Sequence, residues 1–370
     1  MDPDSLLFTS FDQLSGSILK NMTLDDVCRV DTAGAYEGIK SFPEQWREGR
    51  QRAEAFDWPG APETGYRQVV VVGMGGSAIA GDLLRTLAVG TASVPIVVSR
   101  SYRLPAWVDA ETVVIVSSYS GDTEETLTSM DEALRRRATV VCITSGGEVL
   151  DRARRNGLPY ILLPGGMQPR AAIGYSFTAM LAVAERIRLL DLGDESWNET
   201  QELLEEQSER LAYPGSDNHA LELARMLKDR LPFIYSSEGL LEAVNMRWRT
   251  QIHENSKALA VGNFFPELNH NEIMGWERQT ALFEHVGVVV LRDREDHPRV
   301  QQRIDATHRL LAERAGAWKE VWSRRTSKLA RMMSLVYLGD WVSLYLAVLH
   351  GVDPTPIRLI SLLKETLQEA

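Results

Sequence analysis

At 370 residues and 41.4 kDa the chain has the length of two domains, and 44% hydrophobic with 25% charged residues is a globular balance that excludes wholesale disorder. A formal net charge of −11 excludes a broadly basic, nucleic-acid-binding surface, so an anionic ligand would be held by local amides and helix N-termini. Cys28 and Cys142 are too few for a disulfide framework and too far apart for a metal knuckle.

The opening residues MDPDSLLFTS carry acids where a secretory signal needs basic residues, and no apolar run reaches the ~18 residues of a membrane span. Residues 1–60 read as an amphipathic helical segment ending in the turn-rich WPGAPETG. Next, QVVVV leads through GMGGSA into a helix, and VPIVVS, TVVIVSS, TVVCITS and PYILLP follow as short β-branched runs without alternation. Such runs suit parallel strands buried on both faces. The segments between them are helical in composition, which makes a layered α/β domain over 61–212.

A charged helix over roughly 194–212 leads to the linker candidate YPGSDN. The pattern then restarts with LPFIYSS, VGVVVLR and AWKEVW, each followed by a helix, giving a second α/β domain over 213–370. The run VYLGDWVSLYLAVL, interrupted by Asp340, is expected as a buried helix of that domain rather than a membrane span. The expected protein is cytoplasmic and reduced, with no membrane or nucleic-acid partner.

GMGGSA follows a strand and opens a helix, so the amides of Gly75 and Gly76 face an anion above the strand end. Through Gly73, Gly75 and Ala78 it also fits a dinucleotide turn, which expects an acid at the end of the second strand; Arg100 stands there instead and would suit a 2′-phosphate. A tight structural turn is the third reading. The loop SSYSGDTEET shifts the balance. Ser118, Ser120 and Thr123, spaced around Gly121, can converge on one tetrahedral oxyanion, whereas a dinucleotide site has no use for such a hydroxyl cluster. The plain alternative is that these residues merely cap the next helix.

HENSKALAVGNFFPELNHNEIMGWE, residues 253–277, mixes His, Glu, Asn and Lys with Phe and Trp, as a lined pocket does. His253 and Glu254 do not extend to a metalloprotease motif, because Lys257 stands where the second histidine is required, and no metal is expected. His253 reads as a packing residue or a support behind a catalytic neighbour rather than a catalyst, and Phe264, Phe265 and Trp276 as core or wall. NFFPE reads as a projecting loop.

With GMGGSA, SYSGDTEET, QPRAA and HENSK…NHNEI in this order, the chain resembles the bifunctional phosphoglucose/phosphomannose isomerases from about residue 66 to 368. That resemblance implies two sugar-isomerase (SIS) domains, doubly wound with mainly parallel sheets flanked by helices. It also implies an aldose–ketose isomerase of hexose 6-phosphates with no cofactor. The family's phosphate loop falls on Ser77, Ser118, Ser120 and Thr123, its enediolate-stabilising arginine on Arg170, its proton-shuttling glutamate on Glu254 and its ring-opening histidine on His270. A C-terminal lysine matches Lys364 on a looser pattern. Ala78 and Asp122 stand where members often carry Gly and Asn. The resemblance further implies a homodimer with His270 donated across the interface. Two rivals stay open: a non-catalytic SIS-type sugar-phosphate sensor, and an NADP-dependent oxidoreductase built on GMGGSA and Arg100.

Overall fold

A computed structural model describes residues 21–278 and 280–368. The expectation for MDPDSLLFTS lies outside the described residues. The first sheet holds β1 (Gln68–Val72), β2 (Ile96–Ser99), β3 (Thr112–Ser118), β4 (Thr139–Thr144) and β5 (Tyr160–Leu162), in the order β2-β1-β3-β4-β5 and parallel throughout. Val69, Val71, Val113, Ile115, Val141 and Ile143 face one side, and Val70, Val72, Val114, Val116, Val140 and Cys142 the other. Both sets are buried under helices, which is why these strands read as unbroken apolar runs.

The second sheet holds β6 (Leu231–Ser237), β7 (Val261–Phe265), β8 (Val286–Arg292) and β9 (Ala317–Trp322), ordered β7-β6-β8-β9 and again parallel. Three of these strands match the expected runs. β7 corrects the reading of NFFPE as a projecting loop: VGNFF is an edge strand, and Phe265 is buried against Tyr235 and Leu268. Its single Gly and Asn beside two aromatics carry no alternation, so the segment lacked a strand's period.

Inner faces of the two sheets close on one core. It takes Val71 and Ile115 from the first, Ile234 and Val289 from the second, and Phe42 and Trp46 from the helix Phe42–Glu54. The candidate linker is no loose tether. Asn218 is buried, donates to the carbonyls of Leu211 and Tyr213, and caps the helix His219–Leu227 through the Leu221 amide. The preceding helix Gly193–Leu211 is anchored where Gln207 Nε2 donates to the Ser334 carbonyl at 3.0 Å.

Helix Lys328–His350 is the one described helix long and apolar enough to cross a membrane by composition, and it is buried from Leu329 to Leu349. Each large apolar side chain buried there contributes ~1.5–3 kcal/mol. Together they outweigh the several kcal/mol per ion that burying Asp340 with its partner costs. That partner is Arg247, whose Nη2 lies 2.7 Å from Asp340 Oδ2.

Candidate active site

The two small-residue loops meet above the C-terminal ends of β1 and β3. The helix Gly75–Leu87 starts directly after the Gly73–Met74 turn, and Gly75 adopts φ +49°, a left-handed conformation that glycine tolerates. Ser77 Oγ, in the first turn of that helix, accepts the amide N–H of Tyr119 at 3.0 Å, tying one loop to the other. Ser118, at the end of β3, accepts the Gly121 N–H at 3.1 Å and donates to Thr123 Oγ1 at 3.1 Å. Gly121, at φ +80°, approaches Gly146 so closely that a Cβ would lie 1.9 Å from its carbonyl oxygen.

Thr123 occupies the N-cap position of helix Glu124–Arg135, yet its side chain makes no capping bond. The capping alternative therefore does not account for its hydroxyl. Ser120 is exposed at the mouth of the loop, and its Oγ accepts the Asp122 N–H at 3.4 Å. Asp122 turns its carboxylate elsewhere: Oδ1 accepts the Glu148 N–H at 3.0 Å, in the first turn of the helix Gly147–Arg155. Its acid therefore serves that helix.

Arg170 lies in the 3-10 turn Pro169–Ala171 and is buried. Gly76 abuts this turn; a Cβ on it would stand 2.8 Å from the Pro169 oxygen and 3.0 Å from the Arg170 nitrogen. Absence of a side chain at Gly76 thus lets the first glycine loop and the arginine turn touch. From the second half of the chain, helix Glu242–Ser256 brings Glu254, whose Oε2 lies 3.3 Å from Arg170 Nη1. Burial pulls the Arg170 guanidinium below its usual range, Glu254 opposes that shift, and the neighbouring Arg247 adds to it.

The structure thus brings together Gly75, Gly76, Ser77, Ser118 and Thr123 in one cluster, with Ser120 at its edge, and joins Arg170 to Glu254. His270, ending the 3-10 turn Glu267–His270, is exposed, as is Lys364 on helix Arg358–Gln368. Among the described residues neither forms a hydrogen bond or ion pair with the other site residues. His253 is exposed rather than packed, its Nε2 lying 3.1 Å from both the nitrogen and the oxygen of Ala260.

Sequence reasoning missed Tyr119, whose hydroxyl donates to the Pro164 carbonyl at 2.7 Å and accepts the Met167 N–H at 3.1 Å. It thereby holds the approach to Arg170. It also missed Asn255 and Lys257, although both stand in the HENSK motif. Arg100 is committed to Asp82, a buried carboxylate on the first-loop helix, and its guanidinium also reaches Met246 Sδ at 3.7 Å. The oxidoreductase reading loses its 2′-phosphate partner.

A model of the SIS domain matches residues 65–187, and one described as the bacterial phospho-glucose isomerase C-terminal SIS domain matches 216–367. A bifunctional phosphoglucose/phosphomannose isomerase from Caldicellulosiruptor bescii is 41% identical over 336 residues, covering 90% of this chain and 99% of the relative. The chain belongs to the bifunctional phosphoglucose/phosphomannose isomerase family. A second member, from Aquifex aeolicus, is 35% identical over 85% of this chain and 95% of its own length. Among solved structures, a Thermus thermophilus protein described as hypothetical superposes with a TM-score of 0.71 at 18% identity, covering 98% of both chains, which shows the shared fold. As a member of this family the protein is an isomerase with two SIS-type α/β domains.

Proposed function

We propose that this isomerase interconverts glucose 6-phosphate, mannose 6-phosphate and fructose 6-phosphate through ring opening and a cis-enediol. The observation that carries the reading is the 3.3 Å approach of Arg170 Nη1 to Glu254, beside a hydroxyl-and-amide loop that contacts the arginine turn through Gly76.

The phosphate sits on the amides of Gly75 and Gly76 and the hydroxyls of Ser77, Ser118, Ser120 and Thr123. Glu254 takes the C2 proton of the open-chain aldose; the C–H electron pair forms the C1–C2 double bond, and negative charge moves to O1. The Arg170 guanidinium faces that charge as it develops, in a site already desolvated. Return of the carbon-bound proton to C1, with transfer of the O2 proton to O1, gives the ketose. Return to C2 from one face or the other gives the glucose or mannose configuration. His270 moves the proton between ring oxygen and O1 during opening, assisted by the Lys364 ammonium.

We assign residues 1–60 to an N-terminal helical segment, 61–212 to the first SIS domain and 213–370 to the second with its C-terminal helix. We also propose a cytoplasmic homodimer with a shared active site and no nucleic-acid or membrane partner. NFFPE, being an edge strand, does not motivate the dimer; the helix Arg358–Gln368 does, since its Leu359, Leu362, Leu363 and Leu367 are 57–82% exposed. An apolar stripe of that kind calls for cover, and a second copy supplies it while bringing His270 and Lys364 to a partner's pocket. A sugar-phosphate sensor would keep the hydroxyl loops but has no use for a carboxylate held against a buried arginine.

The test is a coupled assay on purified protein with fructose 6-phosphate, following both aldose phosphates, with unphosphorylated fructose as control. Formation of both products from the phosphate ester alone is expected. Absence of turnover, or equal turnover of free fructose, overturns the reading.

A further inference from the structure

Arg170 carries five N–H donors in a fixed planar fork. Four are committed within the protein. Nε donates to Asn255 Oδ1 at 2.8 Å, Nη1 to Glu254, and Nη2 to the carbonyls of Pro354 at 2.8 Å and Thr355 at 2.9 Å. That leaves one Nη1–H, beside Glu254, without a protein partner among the described residues. Where this last donor points depends on how the fork is rotated, which the Nε bond sets together with the two Nη2 bonds.

Asn255 is buried and is itself tied down from behind. Its Nδ2 donates to Ser343 Oγ at 2.9 Å, and that hydroxyl donates to the Asp340 carbonyl oxygen at 2.7 Å. Asp340 in turn accepts from Gln251 Nε2 at 3.0 Å and from Arg247 Nη2 at 2.7 Å, and the same Nη2 reaches the main-chain oxygen of Arg170 at 3.0 Å. Arg247, Gln251, Glu254 and Asn255 fall on one face of helix Glu242–Ser256, at spacings of four, three and one. That single face holds both the main chain and the side chain of Arg170 and also presents the carboxylate beside it. Most side-chain hydrogen bonds end on backbone or water. Asn255 instead spends its amide on a guanidinium and a hydroxyl, joining the arginine to the polar seam of the core.

We propose that Asn255 is a positioning residue for the isomerisation: its amide oxygen holds the Nε edge of the Arg170 guanidinium and, with the Pro354 and Thr355 carbonyls on the other side, aims the free Nη1–H at the oxygen that gains charge. An amide suits the task because it accepts from Nε without adding negative charge. A carboxylate there would compete with the substrate for the cation. The inference rests on the proposed role of Arg170.

The experiment is a double-mutant cycle on the full-length protein, reading kcat and KM for fructose 6-phosphate along with the thermal midpoint. Asn255→Leu, close in volume, is expected to lower kcat by about 100-fold, the scale on which small misplacement of a catalytic group acts, with KM changed by less than about twofold because the phosphate loop is untouched. Arg170→Lys has no Nε, so adding Asn255→Leu to it should cost less than about a further twofold. Should Asn255→Leu not fold, Ser343→Ala, which frees only the far side of the amide, is expected to show the same fall in kcat at smaller size and the same dependence on Arg170. Full kcat in a folded Asn255 or Ser343 variant, or an equal loss in both arginine backgrounds, overturns the proposal and leaves the role of Arg170 standing. Wild-type kcat in Arg170→Lys removes the role of Arg170 itself, and the proposal with it.

Discussion

Ser118 Oγ accepts the Gly121 amide at 3.1 Å and donates to Thr123 Oγ1 at the same distance, so one hydroxyl fixes both sides of the loop around Gly121. Thr123 Oγ1, which accepts here, keeps its own O–H for an anion bound there. Replacing Ser118 and Ser120 together by Ala is expected to weaken a phosphorylated competitive inhibitor by ~1–3 kcal/mol, the range for hydrogen bonds to a charged group. Inhibition constants at fixed ionic strength provide the measurement. An inhibitor that binds the double variant as tightly as the wild type places the phosphate elsewhere.

Glu254 is the one carboxylate within ion-pair distance of Arg170 among the described residues. Glu254→Gln keeps the side chain's shape and removes its basicity, so formation of both aldose phosphates should stop while inhibitor affinity persists. Exchange of the C2 proton with deuterated solvent reads the step directly. Unchanged exchange in the variant would point to another base.

The Arg247–Asp340 pair is almost wholly buried, with side-chain exposures of 1% and 6%. Burial raises the Asp340 carboxyl above its usual range, and the Arg247 guanidinium opposes that shift. Removing only the carboxylate strands a buried cation. Asp340→Asn is therefore expected to cost about 3–5 kcal/mol in urea unfolding. A loss below about 1 kcal/mol, the value typical of an exposed pair, would mean that water reaches the arginine.

Among the described residues no three His, Cys, Asp or Glu side chains come together as a metal site would require. Activity is expected to survive exhaustive chelation. Loss that added zinc restores would overturn that expectation.

Glu254→Gln and His270→Ala homodimers should each be inactive if the histidine acts across the interface. Mixed at equal amounts and re-associated, they should recover about a quarter of the wild-type sites, because half the dimers are mixed and each of those holds one intact site. Mixed dimers that form and stay inactive place His270 in its own chain's pocket.

Much of this was legible in the chain. Eight of the nine described strands were legible as short runs, and those of the first sheet as β-branched ones, because parallel strands covered on both faces need no polar alternation. β7 escaped because VGNFF is an edge strand with a side chain missing at Gly262, and Asn263 reads as loop. The hydroxyl loop was readable from SYSGDT, since Ser and Thr around Gly have few other uses beyond a strand end. The Arg170–Glu254 pairing was not: 84 positions separate the two residues, and only the packing of two domains brings them together. Asp340 looked like an interruption in an apolar helix. Its reason, Arg247 with Gln251, lies on another helix and leaves no trace in local periodicity.

Both sheets turn their inner faces to one core, and the helix carrying Glu254 spans from the second sheet to the arginine of the first. Thermodynamic linkage follows from that geometry. A ligand gripped only by the loops of the first half binds the native chain alone, and at 100 times its dissociation constant it adds about 2.7 kcal/mol to the free energy of unfolding. Because the two halves share their interior, that increment belongs to the second half as well as the first. A substrate held by those loops would therefore steady helix Glu242–Ser256, and with it Glu254, the base proposed to act on that substrate.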